Sequence, residues 1–150
     1  MANATATITI FPYPRGFDNT QRFQIVRGTI AISAGTYPVG GIPLSWGALT
    51  NTNGAVIESI PLPSALGTNT SIFPVDVDIH STGYVSSSAG TGPSGFIYLW
   101  DSVQGNLHIF ESSNGASAAS GPLIEIGAAN LPGTVVNDTI QFTAFFARNN

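Results

Sequence analysis

The chain has 150 residues, 8% charged and 43% apolar, with four basic residues against eight acidic ones and no cysteine. That length suits one domain around one core, taken as a single unit over residues 1–150. A net charge of −4 leaves no basic stripe for phosphates, no apolar run reaches the ~20 residues of a spanning helix, and missing cysteines exclude disulfides and thiolate chemistry.

Glycines and prolines punctuate the chain about every ten residues, which is the rhythm of strands and turns rather than of helices. TATITIF, residues 5–11, alternates β-branched and apolar residues and predicts a strand. FPYPRGF follows; its prolines enforce extended backbone without regular pairing, so Phe11, Tyr13, Arg15 and Phe17 are candidate protein contacts, with a covering loop as the alternative. Residues 1–20 are therefore expected to be a strand or an extended arm that contacts neighbouring subunits.

RFQIVRGTIAIS predicts a strand with Phe23, Ile25 and Arg27 on one side and Val26, Ile30 and Ile32 on the other, with a bulge at Gly28. IPLSW is a short strand that delivers Trp46, and AVIESIPLP, residues 55–63, is a weaker one. IFPVDVDIHS alternates cleanly: Val75, Val77 and Ile79 face one way, Asp76, Asp78 and His80 the other. Two carboxylates and an imidazole in a row suggest a metal site, but neighbours along a strand face lie about 6–7 Å apart and other ligands would have to come from elsewhere. The plainer reading is the wet face of a half-buried strand, and no metal or other cofactor is expected.

SSSAGTGPSG reads as a loop. FIYLWD and NLHIFE, joined by SVQG, make a β-hairpin with aromatic residues on both strands, and His108 inside it reads as a cross-strand or interface residue. PLIEIG is a short strand and AANLPGTVVND a loop. TIQFTAFFAR is the last strand, with Ile140, Phe142, Ala144 and Phe146 on one face and Phe145 opposite them as an interface candidate. The sum is an all-β antiparallel sandwich of about eight strands, jelly-roll-like in type.

Enzymatic signatures are missing: no serine sits in a G-x-S-x-G elbow, and Glu58, Glu111 and Glu125 fall on separate strands. Low charge suits a subunit packed against others. Exposed rings could equally stack on sugars, so a carbohydrate- or receptor-binding module stands as the alternative.

GTYPVGGIPLSW, GFIYLWDSVQGNLHIF and DTIQFTAFFAR resemble stretches of the head decoration, or cement, proteins of tailed bacteriophages, over residues 35–148. The resemblance implies a non-enzymatic virion protein, assembled in the host cytoplasm. It would bind the outer surface of an expanded shell, with the major capsid protein and its own copies, as a homotrimer, for partners. It implies no catalytic residues.

Overall fold

The computed structural model describes residues 2–11, 16–19, 23–46, 74–86, 90–92, 95–112 and 123–147. The strand expected over 55–63 and Tyr13 and Arg15 lie outside the described residues. The described elements are β1 (Ala6–Ile10), β2 (Phe17–Asn19), β3 (Phe23–Ile32), β4 (Ile42–Pro43), β5 (Asp76–Ser86), β6 (Gly90–Gly92), β7 (Phe96–Asp101), β8 (Asn106–Ser112), β9 (Leu123–Glu125), α1 (Gly133–Val136) and β10 (Asp138–Ala147).

They form two antiparallel sheets. The six-stranded sheet runs β1-β3-β10-β5-β6, with β2 also on β3, and the four-stranded sheet runs β4-β8-β7, with β9 also on β8. All pairings between these strands are antiparallel, as expected of an all-β sandwich. In each sheet two of the described strands share an edge. β1 covers Gly28 to Ile32 of β3 and β2 covers Gln24 to Val26; likewise β4 and β9 take opposite ends of β8.

The aromatic C-terminal strand, uncharged after Asp138, is explained by its place. β10 is hydrogen-bonded to β3 on one side and to β5 on the other, and its inward residues Ile140, Phe142, Ala144 and Phe146 are all buried. A strand in the middle of a sheet has both backbone edges satisfied and one face dry, so a charge on that face needs hydrogen-bond partners of its own, as Asp138 at the start of β10 has. Val26, Ile30 and Ile32 of β3 and Val77 of β5 join the same layer. Tyr98, Leu107 and Ile109 face them from the other sheet.

Trp46 fills the space between the layers. Its ring meets Phe142 at 5.4 Å, Trp100 at 5.6 Å and Phe146 at 5.7 Å, each close to edge-to-face. That geometry suits the opposed charges of ring face and ring edge and adds to plain area burial. These rings are therefore core, and the sugar-stacking role is left without them.

Several local expectations change. Gly28 is no bulge against β10, where register runs unbroken through it, and it is the last residue of β3 paired with β1. It is glycine because a Cβ there would stand 2.1 Å from the Thr9 carbonyl oxygen and 2.9 Å from Phe142 Cε1. The bulge lies instead in β5, where Asp138 pairs with Tyr84 but Ile140 pairs with Ser81, and Gly83 takes up the extra residue at a φ of 106°. Within the expected loop at 86–95, Gly90 to Gly92 pair with Tyr84 to Ser86. AANLPGTVVND contains the helical turn α1, which sends Val135 fully into the core. Val75 precedes β5 and is exposed.

The N-terminal stretch is a strand. Ala4 and Ile10 are buried, Phe11 N donates to Arg27 O, and the chain rejoins β3 at Phe17. Pairing of this edge with β3 thus stops at Ile10 and resumes at Phe17.

Candidate functional site

The hairpin β7–β8 and the neighbouring β9 set the outward face of the four-stranded sheet. Asp101 nucleates the hairpin turn: its Oδ1 accepts from Val103 N at 2.8 Å and Gln104 N at 3.2 Å, and Gly105 closes it at a φ of 75°. Register then fixes which side chains share the outer face. Ile97 stands opposite Phe110, which stands opposite Glu125; Leu99 stands opposite His108, and Asp101 opposite Asn106. With Tyr98 and Ile109 buried between the sheets, this row points outward.

The row is apolar where water would favour polar groups. Ile97 is 43% exposed, Leu99 50% and Leu123, one pair further along β9, 52%, with Phe110 half-buried among them. Single exposed aliphatics need no explanation, but a contiguous set on one sheet face marks a contact surface.

A polar chain borders this row. Glu125 Oε1 accepts from Tyr37 Oη at 2.6 Å and from His108 Nδ1 at 2.8 Å, and Tyr37 Oη accepts from the buried Ile109 N at 3.2 Å. Asp101 Oδ2 lies 3.7 Å from His108 Nε2, and the His108 ring stacks on Phe110 at 6.3 Å. Burial, reinforced by the Glu125 carboxylate, pushes the Tyr37 hydroxyl well above the usual phenol range. The same bond from Tyr37, with His108 second to it, holds the Glu125 carboxyl below its ordinary value. The Val103 and Gln104 amides do so for Asp101, with His108 a smaller cause. The chain pins the imidazole between two carboxylates, so the cross-strand role expected of His108 is the observed one.

The other outward face belongs to the six-stranded sheet. Asp76, Asp78 and His80 share it as expected, exposed, opposite Phe145, Thr143 and Gln141 of β10. Among the described residues no three His, Asp or Glu side chains come together to hold a metal ion, and these three form a polar column instead. Thr143 also pairs with Arg27, so the backbones of Arg27 and Asp78 stand two strand spacings, about 10 Å, apart. Phe145 and Phe11 are half-buried, and Phe17 enters β2 opposite Val26.

At the seam between β5 and β7 a cavity of about 630 Å³ is lined by Ile79, His80, Ser81, Phe96 and Tyr98, among others. Behind it the Asp138 carboxylate is buried, accepting from Ser81 Oγ and Tyr98 Oη at 2.7 Å each. The bond from Tyr98 ties the two sheets together. Sequence reasoning missed Asp138 and Tyr37. Asp138 had a signal, being the one charge between Ile126 and Ala147, whereas Tyr37 sat in a turn-rich segment with none.

Comparison with protein-family models, curated proteins and solved structures finds no match to this chain.

Proposed function

We propose that this chain is a non-enzymatic structural subunit that attaches to an assembled protein shell through the outward face of β7, β8 and β9. The bound shell is the exterior of an expanded phage capsid, and the attached chain stabilises it by bridging capsid subunits. The observation that carries the reading is the exposed pair Ile97 and Leu99 on β7 together with exposed Leu123 on β9, on one sheet face with half-buried Phe110 of β8 between them. A chain with 8% charged residues adds to it, because so neutral a surface suits mutual packing better than free solution.

Such a subunit works by mass action. A ligand that binds only the assembled shell stabilises it by RT ln(1 + [L]/Kd), and attachment at many equivalent positions multiplies the effect. Specificity at this face would come from the polar border of Asp101, His108 and Glu125, with the apolar row supplying the area.

The test is co-sedimentation of the purified protein with undecorated expanded and unexpanded phage shells, alongside Leu99→Asp. The expected result is saturable binding to expanded shells that Leu99→Asp abolishes while its thermal midpoint stays within a few degrees of the parent. Absence of binding to either shell rules the reading out. Undiminished binding by Leu99→Asp removes this face from it.

A further inference from the structure

The imidazole on the outward face of β7, β8 and β9 has one nitrogen satisfied and one bare. Glu125, whose carboxyl the bond from Tyr37 holds below its ordinary value, is an ionised group that can only accept. His108 Nδ1 therefore carries the hydrogen of their 2.8 Å bond, and Nε2 is the unprotonated nitrogen of the neutral ring. Nε2 is buried and has no hydrogen-bond partner among the described residues. Asp101 Oδ2 stands 3.7 Å from it, an acceptor facing an acceptor. A lone pair set against a carboxylate oxygen makes no bond, whereas a proton on Nε2 turns the same two atoms into a charge-assisted pair after a closure of about 0.8–1 Å.

The titratable groups that face this ring, among the described residues, are all acids. Asp101 reaches it from the end of β7, Glu125 from β9, and the Tyr37 hydroxyl lies behind Glu125 from the segment before β4. Its own strand adds the apolar ring of Phe110, and Gly41 lies against its Cδ2. The chain has no lysine, and Arg27, the one arginine among the described residues, belongs to β3 in the other sheet. With a neutral ring, Asp101, His108 and Glu125 carry two negative charges and no positive one, beside the exposed Leu99. Water balances them: the Asp101 side chain is 26% and Glu125 35% exposed, against 18% for His108.

We infer that attachment through this face drives a proton onto His108 Nε2, so that the covered chain holds one proton more than the free one. The inference rests on the attachment proposed above. Covering the face withdraws water from two carboxylates, and a buried charge is tolerated only when it is paired. The proton lowers the net negative charge of the three side chains from two to one and gives Asp101 a donor as its water is lost. A cation on the covering surface would act from outside, but the bare Nε2 beside Asp101 places the charge within this chain. Linkage fixes the sign. The covered state binds the proton more tightly, so affinity rises as pH falls through the imidazole range, ~8 to ~5, and levels off at either end, where both states carry the same charge. One proton limits the effect to about tenfold in Kd per pH unit.

Co-sedimentation with expanded phage shells in pH steps from ~8 to ~5 tests this. The parent's Kd should tighten at least several-fold across that range. His108→Gln keeps a donor for Glu125 but cannot take up the proton, so its Kd should stay flat near the parent's high-pH value. Asp101→Asn keeps the oxygen that holds the Val103 and Gln104 amides and offers Nε2 a neutral N–H, so its binding should be tight already at pH ~8 and also flat. Titration of the shell's own groups is common to parent and variants, so the difference between their slopes reads this site. A parent Kd that ignores pH or weakens on acidification overturns the inference and leaves the attachment reading standing, as does a slope that survives in His108→Gln. Failure to bind at every pH overturns both. If His108→Gln does not fold, Asp101→Asn decides: a slope like the parent's refutes the proton at Nε2.

Discussion

Gly28→Ala isolates the close approach of β1, β3 and β10. The added Cβ would stand 2.1 Å from the Thr9 carbonyl oxygen, a backbone atom in a hydrogen-bonded strand, and 2.9 Å from Phe142 Cε1. The Phe142 ring can tilt away, but Thr9 cannot move without β1, which must retreat by about an ångström and stretch its bonds to β3. Overpacking of this kind costs about 1–3 kcal/mol, and loosening a ladder bond adds up to about 1 kcal/mol, so a loss near 3 kcal/mol is expected. At about 2–4 °C per kcal/mol for a chain of this size, the thermal midpoint should fall by roughly 6–12 °C. Urea unfolding should show a lower midpoint at unchanged slope, since the surface exposed on unfolding stays the same. Gly127→Ala is the control: a Cβ there meets nothing within 4 Å, so the change should be neutral or stabilise by up to about 1 kcal/mol. A Gly28→Ala loss under about 0.5 kcal/mol would refute the close-approach argument and return Gly28 to the bulge that the sequence suggested.

Tyr37→Phe removes the hydroxyl that accepts from the buried Ile109 N and donates to Glu125; one orphaned buried amide costs about 1–3 kcal/mol, read from urea unfolding. Because burial raises the folded-state value of Tyr37, stability should fall as pH climbs above about 10, where the phenol ionises only in the unfolded chain. The fall should be shallower in Tyr37→Phe, and an unchanged alkaline profile would count against the assignment. Asp138→Ala removes the charged acceptor shared by the Ser81 and Tyr98 hydroxyls at the sheet seam; a loss of about 2–4 kcal/mol by thermal unfolding is expected, and a neutral effect would mean that Asp138 is no bridge between the sheets. Glu125 and Asp101 have lowered values, so their small contribution is present above the ordinary carboxylate range and is lost as pH falls through their folded values. Glu125→Gln should flatten that acid limb in pH-dependent unfolding, and a limb as steep as the parent's would contradict the shift.

What the sequence determined by itself follows from local rules. Period-two alternation assigned Ile140, Phe142, Ala144 and Phe146 to one buried face, and Asp76, Asp78 and His80 to one wet face, because a strand turns successive side chains to opposite sides whatever it pairs with. The β7–β8 hairpin was legible for the same reason, since its two strands and their turn are contiguous in the chain. Only the tertiary structure decided the rest. Gly28 reads alike as a bulge or as a close approach until Thr9 and Phe142 are seen around it. Trp46 reads alike as a sugar platform or as core until Phe142, Phe146 and Trp100 close on it. The polar chain joins Tyr37, Asp101, His108 and Glu125 across up to 88 residues of sequence, and the buried Asp138 bridge joins residues 57 and 40 apart. Strand order, and with it which face stays apolar, depends on pairings between segments distant in the chain. Local alternation constrains each strand's faces but not its neighbours, so those pairings are settled only when the two sheets close on one another.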